Sequence, residues 1–140
     1  MTIKYKYTAI PTSTDSKGKF TRRPILKIFF PGTNFSALGL LDSGADMTML
    51  NIAYAKLLSI DLDKSNQKNF RGIADGYVRC YIKEINLEIE HFKDKVFIIP
   101  VAFIDSKNVD VLIGQEGVFD NFKIKFEKDH EIFELSTVQK

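Results

Sequence analysis

The stretch LGLLDSGADMTML, residues 38–50, places two acidic residues, Asp42 and Asp46, directly after a run of apolar residues. An unpaired carboxylate is costly to bury in a strand, so an acid at this position needs an explanation. One explanation is structural, because Asp42, Ser43 and Gly44 are residue types that favour a turn at a strand end. The other is chemical, because a carboxylate held there could take up or release a proton in a reaction.

The composition bounds the kinds of protein this can be. A chain of 140 residues predicts one domain with its own core, and its apolar fraction of 44% and charged fraction of 27% are typical of a soluble globular protein. The formal net charge is only +2, with basic residues spread along the chain. A nucleic-acid-binding protein usually has a concentrated basic face, so we expect no nucleic-acid partner.

Residues that could bind metals or form disulfides are few. Cys80 is the single cysteine, so no internal disulfide is expected, and His91 and His130 are isolated from other ligand types. We therefore expect no metal site and no cofactor. The chain has no apolar run of membrane-spanning length and no apolar signal-peptide core near its N-terminus. These features predict a cytoplasmic protein with no membrane partner.

The elements that must position the two acids are mainly strands. Residues 1–24 are polar and predict an N-terminal arm or an edge strand, and residues 25–140 predict a single domain. Two strands, 25–30 and 35–41, are separated by the turn PGTN. The second strand is apolar almost throughout, which predicts that both of its faces are covered.

Segment 48–60 carries apolar residues at helical spacing and predicts a short helix with Thr48 or Asn51 as its cap. These apolar residues are Leu50, Ala53, Leu57 and Leu58. Segment 70–82 predicts a hairpin, and segment 84–90 predicts a strand with alternating buried and exposed residues. The later segments predict strands at 96–104, 109–114, 122–127 and 131–136, and a short helix at 115–122. The prediction is a mostly β protein with one or two short helices.

Three motifs occur in a diagnostic order: LLDSGADMTML, then FRGIADGYVRCYI, then VLIGQEGVFDNFKIKFE. With these motifs, the chain resembles the retroviral-type (retropepsin-like) aspartic proteases, including their single-domain bacterial relatives, from about residue 29 to residue 127. The resemblance implies a small closed β-sheet, or barrel, with one or two short helices and a flap hairpin. It also implies a homodimer in which each copy contributes one Asp-Ser-Gly loop to a shared active site.

On this resemblance, Asp42 is the catalytic aspartate and faces Asp42 of a second copy. Two carboxylates in contact cannot both ionise, so the pair holds one proton, as is known for aspartic-protease dyads in general. The ionised member acts as general base on a water molecule, and the protonated member polarises the scissile carbonyl. The implied activity is that of an aspartic endopeptidase acting on an extended, mainly apolar polypeptide.

The resemblance also assigns roles to the neighbours of Asp42. Ser43 would hydrogen-bond across the two-fold axis, and Gly44 would permit close approach of the backbone. Ala45 has no hydroxyl to donate to the dyad. Asp46 would bind the substrate main chain and brace the loop, and Gly114 would let a strand pass tightly behind it.

The flap would be the hairpin around Gly72 to Gly76, which closes over the peptide and donates main-chain hydrogen bonds. Ile73 and Ala74 would contact substrate side chains, and Asp75 is an unusual charge at the flap tip. All five residues of this tip are therefore assigned to substrate binding.

The sequence departs from the family at Gln115, where an arginine usually pairs with the acid at the position of Asp46. Glutamine can hydrogen-bond but cannot neutralise Asp46, and this bears on the strength of the dimer. Two non-catalytic alternatives stay open. The chain could be a sheet module that binds a peptide in its groove or at a strand edge, or a dimer joined only by its last strand, EIFELS. The intact Asp-Ser-Gly motif favours the enzyme over both.

Overall fold

The computed structural model describes residues 1–71 and 76–139, which are mostly β-structure, as predicted. The strands are β1 (Thr2–Lys6), β2 (Thr8–Thr14), β3 (Phe20–Arg23), β4 (Ile25–Phe29), β5 (Ser36–Leu41), β6 (Thr48–Asn51), β7 (Gln67–Arg71), β8 (Tyr77–Ile89), β9 (Val96–Ile104), β10 (Val111–Ile113), β11 (Phe122–Glu127) and β12 (Ile132–Thr137). The helical elements are α1 (Ala53–Leu57), one 3₁₀ turn (Lys64–Asn66) and an irregular helical turn (Gln115–Phe119).

The main sheet closes on itself. Its strands follow the order β4-β5-β10-β6-β9-β8, and β4 also pairs with β8, so six strands form a ring to which β7 adds at β8. Two of the strand pairings in this sheet are parallel, β5 with β10 and β6 with β9. The other pairings are antiparallel. The predicted small closed β-sheet is confirmed.

The interior of the ring is filled by side chains from alternate positions of its strands. On β8, Ile85, Leu87 and Ile89 are buried and the residues between them are not, which confirms the alternation predicted for segment 84–90. The largest fully buried side chains include Leu26, Ile28, Leu50, Ile99, Phe103 and Ile113. Each fully buried side chain of this size stabilises the fold by roughly 1.5–3 kcal/mol.

A second sheet joins the two ends of the described chain. Strand β12 lies between β1 and β11, and the antiparallel register of β1 runs from Thr2 opposite Ser136 to Lys6 opposite Ile132. Strand β1 is therefore the edge strand of a three-stranded sheet. The ring of Tyr5 stacks on that of Phe133 with centroids 5.0 Å apart, and both residues belong to the main core. Strands β2 and β3 form a separate hairpin.

Strand β5 is covered on one face only, contrary to prediction. Ala37 and Leu41 are buried, whereas Leu38 is 60% exposed and Leu40 is half-buried. An apolar run is compatible with either arrangement, and a single sequence does not distinguish an exposed leucine from a buried one. The half-buried side of β5 lies beside the loop that carries Asp42.

The predicted helix over 48–60 is present only at Ala53–Leu57, which is α1, and its first four residues are wrong. Thr48–Asn51 is strand β6, which pairs with β10 on one side and with β9 on the other. Thr48 is fully buried and caps no helix, whereas Asn51 Oδ1 accepts the N–H of Ala53, the first residue of α1, at 3.0 Å. Pairing on both sides satisfies the strand's backbone groups and outweighs the local helical spacing.

Tyr5 links β1 to the closed sheet and makes stability depend on pH. Its hydroxyl donates to the carbonyl oxygen of Glu90 at 2.6 Å, and burial, followed by the charge of Glu90, raises the pKa of Tyr5 far above its ordinary value of 10.0. The folded protein therefore keeps the phenolic proton at pH values where the unfolded chain releases it. This contribution to stability is complete below about pH 10 and is lost as the pH rises further.

We expect Tyr5→Phe to lower the free energy of unfolding by about 1 kcal/mol at neutral pH, because a hydrogen bond is lost. Its free energy of unfolding should also fall less steeply than that of the wild type above about pH 10. Denaturant titrations at about pH 7 and pH 11 measure both effects. Tyr77→Phe is the matched control, because Tyr77 is 75% exposed. If the free energy of unfolding fell equally steeply above about pH 10 in the wild type and in Tyr5→Phe, the raised pKa of Tyr5 would be contradicted.

No helix among the described residues is long and apolar enough to cross a membrane. No group of three or more His, Cys, Asp or Glu side chains in the described ranges is arranged to hold a metal ion.

Candidate active site

Asp42 lies where two parallel strands end together. It follows β5 directly, and its N–H donates to the carbonyl oxygen of Ile113, the last residue of β10, at 2.9 Å. Because Leu41 is the register partner of Ile113, this bond continues the ladder by one residue. The backbone of Asp42 is thus fixed by the closed sheet, and its side chain is half-buried.

The carboxylate of Asp42 is oriented by its own loop. Its Oδ1 accepts the N–H of Gly44 at 2.9 Å, and its main-chain oxygen accepts the N–H of Ala45 at 3.1 Å. A Cβ atom on Gly44 would lie 3.2 Å from Oδ1, which is tighter than an ordinary contact. Ser43 and Gly44 are exposed at the tip of this turn, whereas Ala45 is buried beneath it.

The segment after β10 fastens the other half of the loop. Three consecutive N–H groups of this segment donate to the loop and to the start of β6: Gly114 to Thr48 Oγ1 (3.2 Å), Gln115 to Ala45 O (2.9 Å) and Glu116 to Asp46 O (2.8 Å). The side-chain amide of Gln115 also donates to the main-chain oxygen of Ser43. Segment 114–116 therefore holds the loop along most of its length.

Gly114 lies in close contact with the loop backbone. A Cβ atom at this position would lie 2.4 Å from the main-chain oxygen of Met47 and 2.8 Å from that of Ala45. Both distances are far below van der Waals contact, and backbone atoms cannot rotate out of the way as a flexible side chain can. Only glycine fits here without displacing the loop.

A row of apolar side chains lies beside the Asp42 loop and was missed by the sequence reasoning. Across five strands, Leu40 pairs with Leu112, Leu112 with Met49, Met49 with Ala102, and Ala102 with Ile82. Paired residues share one face of a sheet, and all of these except Ala102 are half-buried. Strand alternation could have revealed this face, because Leu40 precedes Asp42 by two residues.

The predicted flap falls only partly within the described residues. Strands β7 and β8 form the predicted hairpin, with Arg71 opposite Tyr77 at its end. Gly72, Ile73, Ala74 and Asp75 lie outside the described residues. Gly76 is described and exposed, and a Cβ atom there would meet nothing within 4 Å.

Comparison with known proteins identifies the fold. No protein-family model matches the sequence, and no curated protein matches it at a significant level. Among solved structures, the chain is similar to a retropepsin-like aspartic protease from Rickettsia conorii, with a TM-score of 0.65 and 17% sequence identity over 96% of this chain and 98% of that one. The protein therefore has a retropepsin-like fold, as the three sequence motifs predicted.

Proposed function

We propose that this protein is a homodimeric aspartic endopeptidase and that Asp42 is its catalytic residue. The observation that carries the proposal is the loop geometry: Asp42 Oδ1 accepts the Gly44 N–H at 2.9 Å, in a loop held by segment 114–116 within a retropepsin-like fold. Such an arrangement fixes one carboxylate at the end of a rigid strand. An active site built on rigid elements needs little reorganisation during reaction.

The proposed reaction requires a second copy, because one chain supplies a single loop. Ser43 and Gly44 are exposed at the loop tip and are available for contact with the same residues of another chain. Asp42 of the two copies would then share one proton. The ionised carboxylate takes a proton from water as the water oxygen attacks the scissile carbonyl carbon, and the protonated carboxyl donates to the carbonyl oxygen. Proton transfer to the amide nitrogen then accompanies cleavage of the C–N bond.

The proposed substrate is an extended, mainly apolar polypeptide. The half-buried face formed by Leu40, Leu112, Met49 and Ile82 would contact its side chains. Asp46 would bind its main chain, and the segment from Gly72 to Gly76 would close over it. The reaction needs no cofactor, and a cytoplasmic location is part of the same proposal.

The test is cleavage of a mixed peptide library by the purified protein from about pH 4 to pH 7, a range that spans carboxylate titration. Cleavage should rise faster than linearly with protein concentration until dimerisation is complete. Strictly linear dependence down to nanomolar protein, with monomer observed by sedimentation, would contradict the shared site. Peptide binding without cleavage at any concentration would instead support the non-catalytic module.

A further inference from the structure

We propose that Gln115 is a positioning residue that fixes the orientation of the Ser43–Gly44 peptide and, through it, the carboxylate of Asp42. Its side-chain amide donates to the main-chain oxygen of Ser43. The N–H of the same peptide unit, that of Gly44, donates to Asp42 Oδ1 at 2.9 Å. One peptide group thus connects the Gln115 amide to the carboxylate, and the catalytic part of the inference rests on the proposed function.

The main chain already places Gln115 where its side chain can reach. Its own N–H donates to the oxygen of Ala45 at 2.9 Å, and the next N–H, of Glu116, donates to the oxygen of Asp46 at 2.8 Å. With the backbone fixed on the loop, only the side-chain torsions of Gln115 must be ordered to make the third bond. The entropy cost of that bond is therefore that of ordering one side chain, without any further backbone ordering.

The orientation of this peptide needs support, because a rotation of the peptide plane would reverse it. Gly44 has no Cβ, so its backbone can adopt both conformations that such a rotation requires. In the reversed orientation, the Ser43 oxygen would turn toward the carboxylate of Asp42 and the Gly44 N–H would turn away. The amide of Gln115 would lose its acceptor in that state, so the bond favours the observed orientation.

The hydrogen bond from Gln115 to Ser43 O also strengthens the hydrogen bond from the Gly44 N–H to Asp42 Oδ1. A donor on a peptide oxygen polarises the peptide, and hydrogen bonds in such a chain reinforce one another by about 10–30% each. Because an amide is uncharged, Gln115 achieves this without placing a cation beside the acids of the loop.

The experiment compares Gln115→Leu, which keeps similar bulk but removes the donor, with Gln115→Arg, which keeps an N–H donor. For Gln115→Leu at saturating dimer concentration, we expect kcat to fall about tenfold while KM changes less than about twofold, because the hydrogen bond that holds the Ser43–Gly44 peptide in its observed orientation is lost. Amide hydrogen exchange at Gly44, followed by NMR, should become about tenfold faster in the same variant. Gln115→Arg should restore both quantities to within about threefold of the wild type.

Gln139→Leu provides the matched control, because Gln139 is exposed near the far end of the described chain. Unchanged kcat and unchanged Gly44 exchange in Gln115→Leu would overturn the inference. So would loss of kcat with normal exchange at Gly44, since the carboxylate would then be oriented by other means. If the wild type cleaves no peptide, the proposed function fails, but the exchange comparison still decides whether Gln115 holds the peptide.

Discussion

Asp42→Asn is expected to lower peptide cleavage by about a thousandfold or more while leaving the fold intact. An amide can neither accept a proton from water nor share one with a second carboxylate, so the general-base step is lost. The Oδ1 atom of the new side chain can still accept the Gly44 N–H that Asp42 accepts at 2.9 Å, so stability should change little. The measurements are kcat/KM on a cleaved peptide and thermal unfolding of both proteins.

Asp94→Asn is the control for this substitution, because Asp94 is an exposed acid in the turn between β8 and β9 and undergoes the same change in charge. Its cleavage rate should match that of the wild type. A wild-type rate in Asp42→Asn would show that another group carries the reaction.

A mixing experiment separates a shared site from two independent ones. Excess Asp42→Asn protein added to a fixed amount of wild type should lower the cleavage rate, because mixed dimers contain one carboxylate instead of two. If each chain worked alone, the added protein would leave the rate unchanged.

Gly114→Ala is expected to produce the largest loss of stability, of about 2–4 kcal/mol, because backbone must move to admit the new methyl group. That methyl would lie 2.4 Å from the oxygen of Met47, and relief of the clash would separate the segment after β10 from the Asp42 loop. The N–H of Gly114 would then lose its bond to Thr48 Oγ1. Activity should fall with the displacement of the loop, so urea denaturation and the peptide assay should change together.

Gly76→Ala is the appropriate comparison in stability, because a Cβ atom there meets nothing within 4 Å. Its free energy of unfolding should stay within about 0.5 kcal/mol of the wild type. Equal stabilities of Gly114→Ala and Gly76→Ala would contradict the close packing described for Gly114.

The sequence predicts secondary structure correctly where the local periodicity of apolar residues matches the pairing and burial of the segment in the folded chain. The alternation of Ile85, Leu87 and Ile89 reports burial on one face, and the structure has that burial. The helix predicted over 48–60 is confirmed only at Ala53–Leu57, because Thr48–Asn51 pairs with strands that are distant along the chain, and no local pattern records those partners. The predicted helix at 115–122 is only an irregular turn, since Gly117 has a φ of +87° and fits closely against Ile99.

The candidate site shows a similar division. The position of Asp42 at a strand end follows from its place after an apolar run, and the strand does end there. The sequence indicates that Gln115 cannot neutralise an acid, but it does not reveal that the amide bonds Ser43 O, since that contact depends on how two segments cross. The apolar row from Leu40 to Ile82 was hidden for the same reason, because it spans five strands that the chain brings together only on folding.

The pairing of β1 with β12 affects how the chain folds, because Thr2 and Ser136, which share a hydrogen bond, are 134 positions apart. Closing so large a loop costs entropy before any contact is gained, and proteins rich in such distant contacts fold slowly. During synthesis, β1 has no partner until Ile132–Thr137 has left the ribosome, and an unpaired strand is prone to aggregate. The Asp42 loop needs only β5, β6 and β10 with the segment that follows, so we expect it to be assembled before the terminal sheet closes.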